Sequence, residues 1–194
     1  MLPIGHIAYT WAALSWLRSR GHATEIDYRG AAAAALLPDL IDKPLTLTLM
    51  SGSGTSQGPS HTLLGQVMLT VAAAQLKPEW LPYALVVNSH LVFDQMWKYP
   101  RTLFFPFSGR FDSWRYMGTP SAMLDAYAEI ATRPAIVAVE VIGLVLLGFL
   151  VQRHHLYKMT SLRRFLLTGK PNHDQHSSIA QEAQSNMMEA GSCA

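Results

Sequence analysis

The sequence predicts an all-α fold, a polytopic helical membrane bundle followed by a polar C-terminal tail. Three observations carry this expectation. The run PAIVAVEVIGLVLLGFLV at 134–151 holds a single ionisable group, Glu140, and reaches the lower limit of a spanning helix, about 17 residues. Three further apolar stretches, at 4–17, 62–76 and 80–97, have the length of helices, and nothing alternates like a strand over a useful distance. Hydrophobic residues make up 49% of the chain against 14% charged, so the apolar surface available for burial is large. The chain divides into a helical membrane unit at 1–152 and a basic juxtamembrane segment with its tail at 153–194.

The elements follow in order. Residues 4–17 form an apolar helix that ends at Arg18 and Arg20, and its charges follow the apolar run instead of preceding it as a signal peptide requires. Residues 21–30 read as a polar linker. The stretch AAAAALL at 31–37 is helix-prone and is expected to stop at Pro38, which disfavours helical geometry in the residue before it. Residues 45–59, which contain SGSGTSQGP, read as a flexible loop. Residues 62–76 form a helix stopped by Lys77 and Pro78, and 80–97 another stopped before Pro100. Residues 100–120 are aromatic, basic and punctuated by proline, an ordered loop. Ser121 is a candidate N-cap for a short helix to Thr132. The apolar span follows. From Asn172 the chain lacks large apolar groups and reads as a disordered tail.

The net charge of +2 is too small for a nucleic-acid binder. The single cysteine, Cys193, excludes an intramolecular disulfide framework and a cysteine metal cluster. Arg153, Lys158, Arg163, Arg164 and Lys170 follow the span without an intervening acid, which reads as cytoplasmic and as a surface for anionic lipid.

Chemistry gathers at helix ends. His6 opens the first helix, Asp39 and Asp42 close the second, His61 opens the third, and His90 with Asp94 lie at the end of the fourth. Short connections make successive helices antiparallel, so start, finish, start and finish all fall at one end of the bundle. His90 and Asp94, one turn apart, share a helix face inside an apolar run, where an unpaired ionisable group is costly. Imidazoles and carboxylates together suit a divalent ion, zinc first, with manganese or iron as alternatives. The candidate metal ligands are His6, Asp39, His61, His90 and Asp94. Asp94 and Asp42 are candidates to take a proton from water that the ion has acidified. The competing reading of His90 with Asp94 is an ion pair on a helix surface.

This layout resembles the membrane-bound metal-dependent hydrolases, a group compared with zinc-dependent phospholipase C. The residues carrying the resemblance are His6, Pro38-Asp39 with Asp42, the segment 56–62, His90 with Asp94, and Phe105-Pro106-Phe107. Ser56 and Gln57 stand where that group carries His and Arg, and Asp42 falls one place later than its second Asp. The resemblance implies an integral protein of a bacterial or archaeal inner membrane, hydrolysing an ester or phosphoester, possible lipids included, by metal-activated water. Arg101, Arg110 and Arg115 follow the His90/Asp94 helix and could receive an anionic lipid or phosphoester, or anchor at the interface. Two other classes remain open. One is a non-catalytic membrane protein whose polar cluster is structural or binds a partner. The other is an ion or proton carrier using His90, Asp94 and Glu140, since an intramembrane carboxylate is a functional hypothesis by default.

Overall fold

The computed structural model describes residues 1–22, 26–50, 55–109, 111 and 119–171. The tail expected from Asn172 lies outside these residues, as do Arg110 and Arg115. The described chain is all-helical: α1 Pro3–Ser19, α2 Tyr28–Leu47, α3 Leu63–Leu76, α4 Leu81–Phe93, α5 Pro100–Leu103, α6 Pro120–Ala131, α7 Pro134–Arg153 and α8 Met159–Thr168. Helix α2 packs against α1 and α4, α4 against α3, and α1 against α7.

Two helices end differently from their sequence expectation. Helix α2 runs on through Pro38 and Pro44. Each proline removes one backbone donor, yet the alanine-rich stretch before Pro38 packs against α4 through Ala34, Ala35, Val86 and Val87, and that packing carries the helix past the break. Its start is fixed by Asp27, whose carboxylate accepts from the amides of Arg29 and Gly30 as an N-cap. Helix α4 stops at Phe93, short of Trp97. Asp94 caps it, its amide donating to the His90 carbonyl at 2.9 Å. Gln95 then takes a left-handed conformation, φ 54°, which turns the chain away. At α6 the N-cap is Thr119, accepting from the Ala122 amide, and not Ser121.

Among the described residues one helix, α7, is long and apolar enough to cross a membrane. At about 1.5 Å per residue, the 14 residues of α3 and the 13 of α4 fall well short of a hydrocarbon core about 30 Å thick. Among the described residues the expected bundle is thus helical with one candidate crossing helix. Both nonetheless present apolar side chains outward, among them Val67, Met68, Val71, Leu85 and Val92.

Glu140, the one acid of the span, has a structural partner. Its two carboxylate oxygens accept from the amides of Leu2, 2.8 Å, and Gly5, 3.0 Å, at the start of α1. A carboxylate there satisfies donors that have no partner within the helix and complements the helix dipole. Gly143 lies against Gly5 and Ala8 at this crossing, and the Tyr9 hydroxyl donates to the Val139 carbonyl.

At the opposite end α8 docks on the bundle through Phe165, which meets Trp11 and Tyr28. The Arg29 guanidinium donates to the carbonyls of Leu166 and Leu167, and the backbone amide of Tyr28 donates to that of Gly169. Arg18, Arg20, Arg29, Arg153, Lys158, Arg163 and Arg164 thus belong to the elements of this end, while the helix ends bearing His6, Asp39, His61, His90 and Asp94 form the other.

Candidate metal centre

The histidines and carboxylates from four separated stretches meet in one buried cluster. One ligand atom from each of Asp39, His61, His90 and Asp94 lies within 4.8 Å of all the others. The closest approaches are His90 Nε2 to Asp94 Oδ2 at 3.4 Å, His61 Nε2 to Asp39 Oδ1 and to Asp94 Oδ2 at 3.7 Å each, and His90 Nε2 to Asp39 Oδ1 at 3.8 Å. An ion holding four ligands tetrahedrally at about 2.0–2.2 Å separates them by about 3.3–3.6 Å. These four approaches are close to the spacing a bound ion demands, and the whole set lies within 4.8 Å, so an ion would draw the ligands inward.

The orientation of the two imidazoles supports the same conclusion. His61 Nδ1 donates to Asp42 Oδ2 at 2.6 Å. His90 Nδ1 donates to the Ala35 carbonyl at 2.8 Å; a carbonyl only accepts, so that nitrogen carries the proton. Both Nε2 atoms are then turned into the cluster, where each is buried and without a hydrogen bond. Metal-binding histidines are commonly held this way, by a carboxylate or carbonyl on the far nitrogen. Asp42 is itself fixed: Oδ2 also accepts from the Gly58 amide at 2.7 Å and Oδ1 from the Ser60 amide at 3.1 Å. Fully buried, Asp42 spends its oxygens on three donors, while Asp39, one turn earlier, reaches the cluster. Gly58 and the 3-10 turn Pro59–His61 that follows it supply these amides, and the turn is ended by Thr62, which caps α3 by accepting from the Gly65 amide.

His6 stands beside these four. Its ring stacks on His90, centroids 4.0 Å apart, and its Nε2 lies 3.1 Å from Asp94 Oδ1. Asp94 therefore faces His61 and His90 with one oxygen and His6 with the other. The N-terminal ammonium also reaches Oδ1, at 2.8 Å. On the other carboxylate, Lys43 binds Asp39 Oδ2 at 2.6 Å and lies over the Tyr127 ring.

The electrostatics follow from these contacts. Burial disfavours an ionised Asp94, but the close approach of the His6, His61 and His90 ring nitrogens and of the ammonium outweighs it and holds the carboxyl well below its usual range. Burial likewise disfavours a charged His61, yet the hydrogen bond to Asp42 and the nearby Asp94 carboxylate raise it to about 9.

A cavity of about 320 Å³ opens on Asp39 and Asp94. Ser56 and Gln57 line it, together with the basic residues Lys43, Lys98 and Arg133. Arg101, on α5, is exposed. Lys43 was readable in principle, because it stands one turn after Asp39 on the same helix. The Ala35 carbonyl and Tyr127 had no such signal: a backbone acceptor leaves no mark in the sequence, and Tyr127 arrives from a distant helix.

A family model for the YdjM inner membrane protein matches residues 1–157. The chain belongs to that family. Its place is accordingly the inner membrane, as an integral protein, which agrees with the apolar helix α7. No curated protein and no solved structure matches the chain. The family match covers α1 to α7 and hence every residue of the cluster.

Proposed function

We propose that this member of the YdjM family is a membrane-bound, metal-dependent hydrolase of an ester or phosphoester. The observation that carries the reading is the convergence of Asp39, His61, His90 and Asp94 on one buried point, with both Nε2 atoms unpartnered. Zinc would take His61, His90 and Asp39 and leave its fourth position, beside Asp94, to water; manganese or iron would accept the same donors. When bound, the ion supplies Lewis acidity that acidifies water and stabilises negative charge on the substrate oxygen.

The chain's own groups have distinct tasks. His61 and His90 hold the ion through Nε2, oriented by Asp42 and the Ala35 carbonyl. Asp39 and Asp94 supply charge, and Lys43 fixes Asp39 so that Oδ1 stays turned to the cluster. Asp94 borders the cavity and takes the proton of the attacking water, with His6 steadying its second oxygen. Asp42 orients His61 and stays out of proton transfer, because its acceptors are already engaged. Similarity to the metal-dependent hydrolases, in residue order and type, supports the reading further.

A non-catalytic second reading rests on one observation: Lys43 and the N-terminal ammonium already neutralise Asp39 and Asp94. The two readings part in a hydrolysis assay on the purified, detergent-solubilised protein with bis(p-nitrophenyl) phosphate and p-nitrophenyl butyrate. The hydrolase reading expects turnover of at least one, abolished by a chelator and restored by zinc or manganese. Absence of metal-dependent turnover across such panels would select the non-catalytic reading.

A further inference from the structure

The cavity above the cluster has two chemically different walls. One is cationic: Lys98, in the turn after Asp94, and Arg133 line it, and both are exposed. Arg133 pairs with Glu129 at 2.6 Å through one terminal nitrogen, and a guanidinium has further donors to offer. The other wall is apolar, formed by Ile130 of α6 and by Ile136 and Val139 of α7, with Phe93 beside them. Ile136 and Val139 belong to the first turns of the membrane span, and Arg133 is its N-cap. Only 17% of that span is buried within the protein, so the apolar wall runs on into a face available to lipid.

This placement sets the level of the reaction. A cavity bounded by the first turns of a spanning helix lies at the edge of the hydrocarbon core, where lipid headgroups begin. A neutral ester offers Lys98 and Arg133 an uncharged carbonyl acceptor, whereas a phosphate accepts stronger charge-assisted hydrogen bonds from both and matches the planar fork of an arginine. A small soluble phosphoester would leave Ile136 and Val139 facing water. An amphiphile satisfies both walls.

We infer that the cavity takes a lipid phosphoester, its phosphate between Lys98, Arg133 and the cluster and its chain along Ile136 and Val139, entering from the bilayer. The inference rests on the metal-hydrolase reading and names the substrate class of that site. In the reaction it implies, a water oxygen forms the new bond to phosphorus and the phosphorus–oxygen bond to the leaving group breaks. Asp94 takes the proton of the water, and the leaving alkoxide is protonated by solvent at the cavity mouth.

The test is equilibrium binding by calorimetry to the full chain in neutral detergent, with the zinc, manganese and iron content of each sample measured. The probes are hexyl phosphate, inorganic phosphate and hexanol. Hexyl phosphate is expected to bind at least about tenfold more tightly than either fragment. Lys98→Ala with Arg133→Ala should weaken hexyl phosphate by about tenfold or more and leave hexanol unchanged. Ile136→Asn with Val139→Asn should weaken hexyl phosphate and leave inorganic phosphate unchanged, with helical circular dichroism retained in both variants. Equal affinity for hexyl and inorganic phosphate, or a rim variant that binds like the parent, overturns the inference. If the sample carries zinc, manganese or iron, only the substrate class falls; if it carries none of them after exposure to each, the metal reading falls with it.

Discussion

Asp42→Asn isolates the orientation of His61 from every direct contact with an ion. The Asp42 carboxylate accepts three hydrogen bonds, from His61 Nδ1 at 2.6 Å, the Gly58 amide at 2.7 Å and the Ser60 amide at 3.1 Å. All three partners are donors. Asparagine has one oxygen and one NH2 group, so its amide nitrogen must face at least one donor in a site with no solvent access. If the oxygen keeps His61 and Gly58, the Ser60 amide is left unpaired, at a cost of about 1–3 kcal/mol. If it keeps Ser60, His61 loses its orienting acceptor. Loss of the partner behind a metal-binding histidine typically weakens metal affinity about 10- to 100-fold, or about 1.4–2.8 kcal/mol. The assay is a competition titration against a chromophoric zinc chelator, with helical circular dichroism as the control for folding. Asp42→Asn should retain the stoichiometry at saturating zinc while losing affinity in that range. Asp42→Ala removes the acceptor in every arrangement and should lose at least as much; parental zinc affinity in both folded variants would refute the orienting role.

Two other outcomes follow from the same contacts. His61 is held at about 9 and is therefore charged at pH 7, whereas an ion takes a neutral imidazole; zinc binding at pH 7 should release about one proton from His61. Calorimetry in buffers of differing ionisation enthalpy measures that release, and none at all would contradict it. Glu140→Ala should lower the thermal stability of the detergent-solubilised protein by about 1 kcal/mol, the usual scale for losing a helix cap, because the Leu2 and Gly5 amides lose their acceptor. Stability equal to the parent's would show that water or lipid satisfies these donors equally well.

Much of this arrangement was legible because it depends on helix ends. His90 and Asp94 stand four residues apart in an apolar run, and the alternation of chain direction puts His6, Asp39, His61 and Asp94 at one end whatever the exact helix boundaries. The boundaries were less accessible. Pro38 reads locally as a stop, but α2 continues through it, since its alanines pack closely on α4. The number of crossing helices was obscured for a related reason. Apolar composition marks α3 and α4 as burial-seeking, while the length that decides spanning depends on stops at Lys77 and Asp94. Glu140 was visible as an anomaly without a partner, and only the α1–α7 crossing reveals the backbone amides it serves. The supports of the cluster, the Ala35 carbonyl above all, belong to tertiary packing and have no sequence pattern.

The most direct measurement is the metal content of the purified chain beside that of its His90→Ala, Asp94→Ala variant, by mass spectrometry after removal of adventitious ions. The account predicts about one zinc or manganese per chain in the parent, in line with a single four-ligand site, and almost none in the variant. Full metal content in the folded variant, or none in the parent after exposure to zinc, would contradict it.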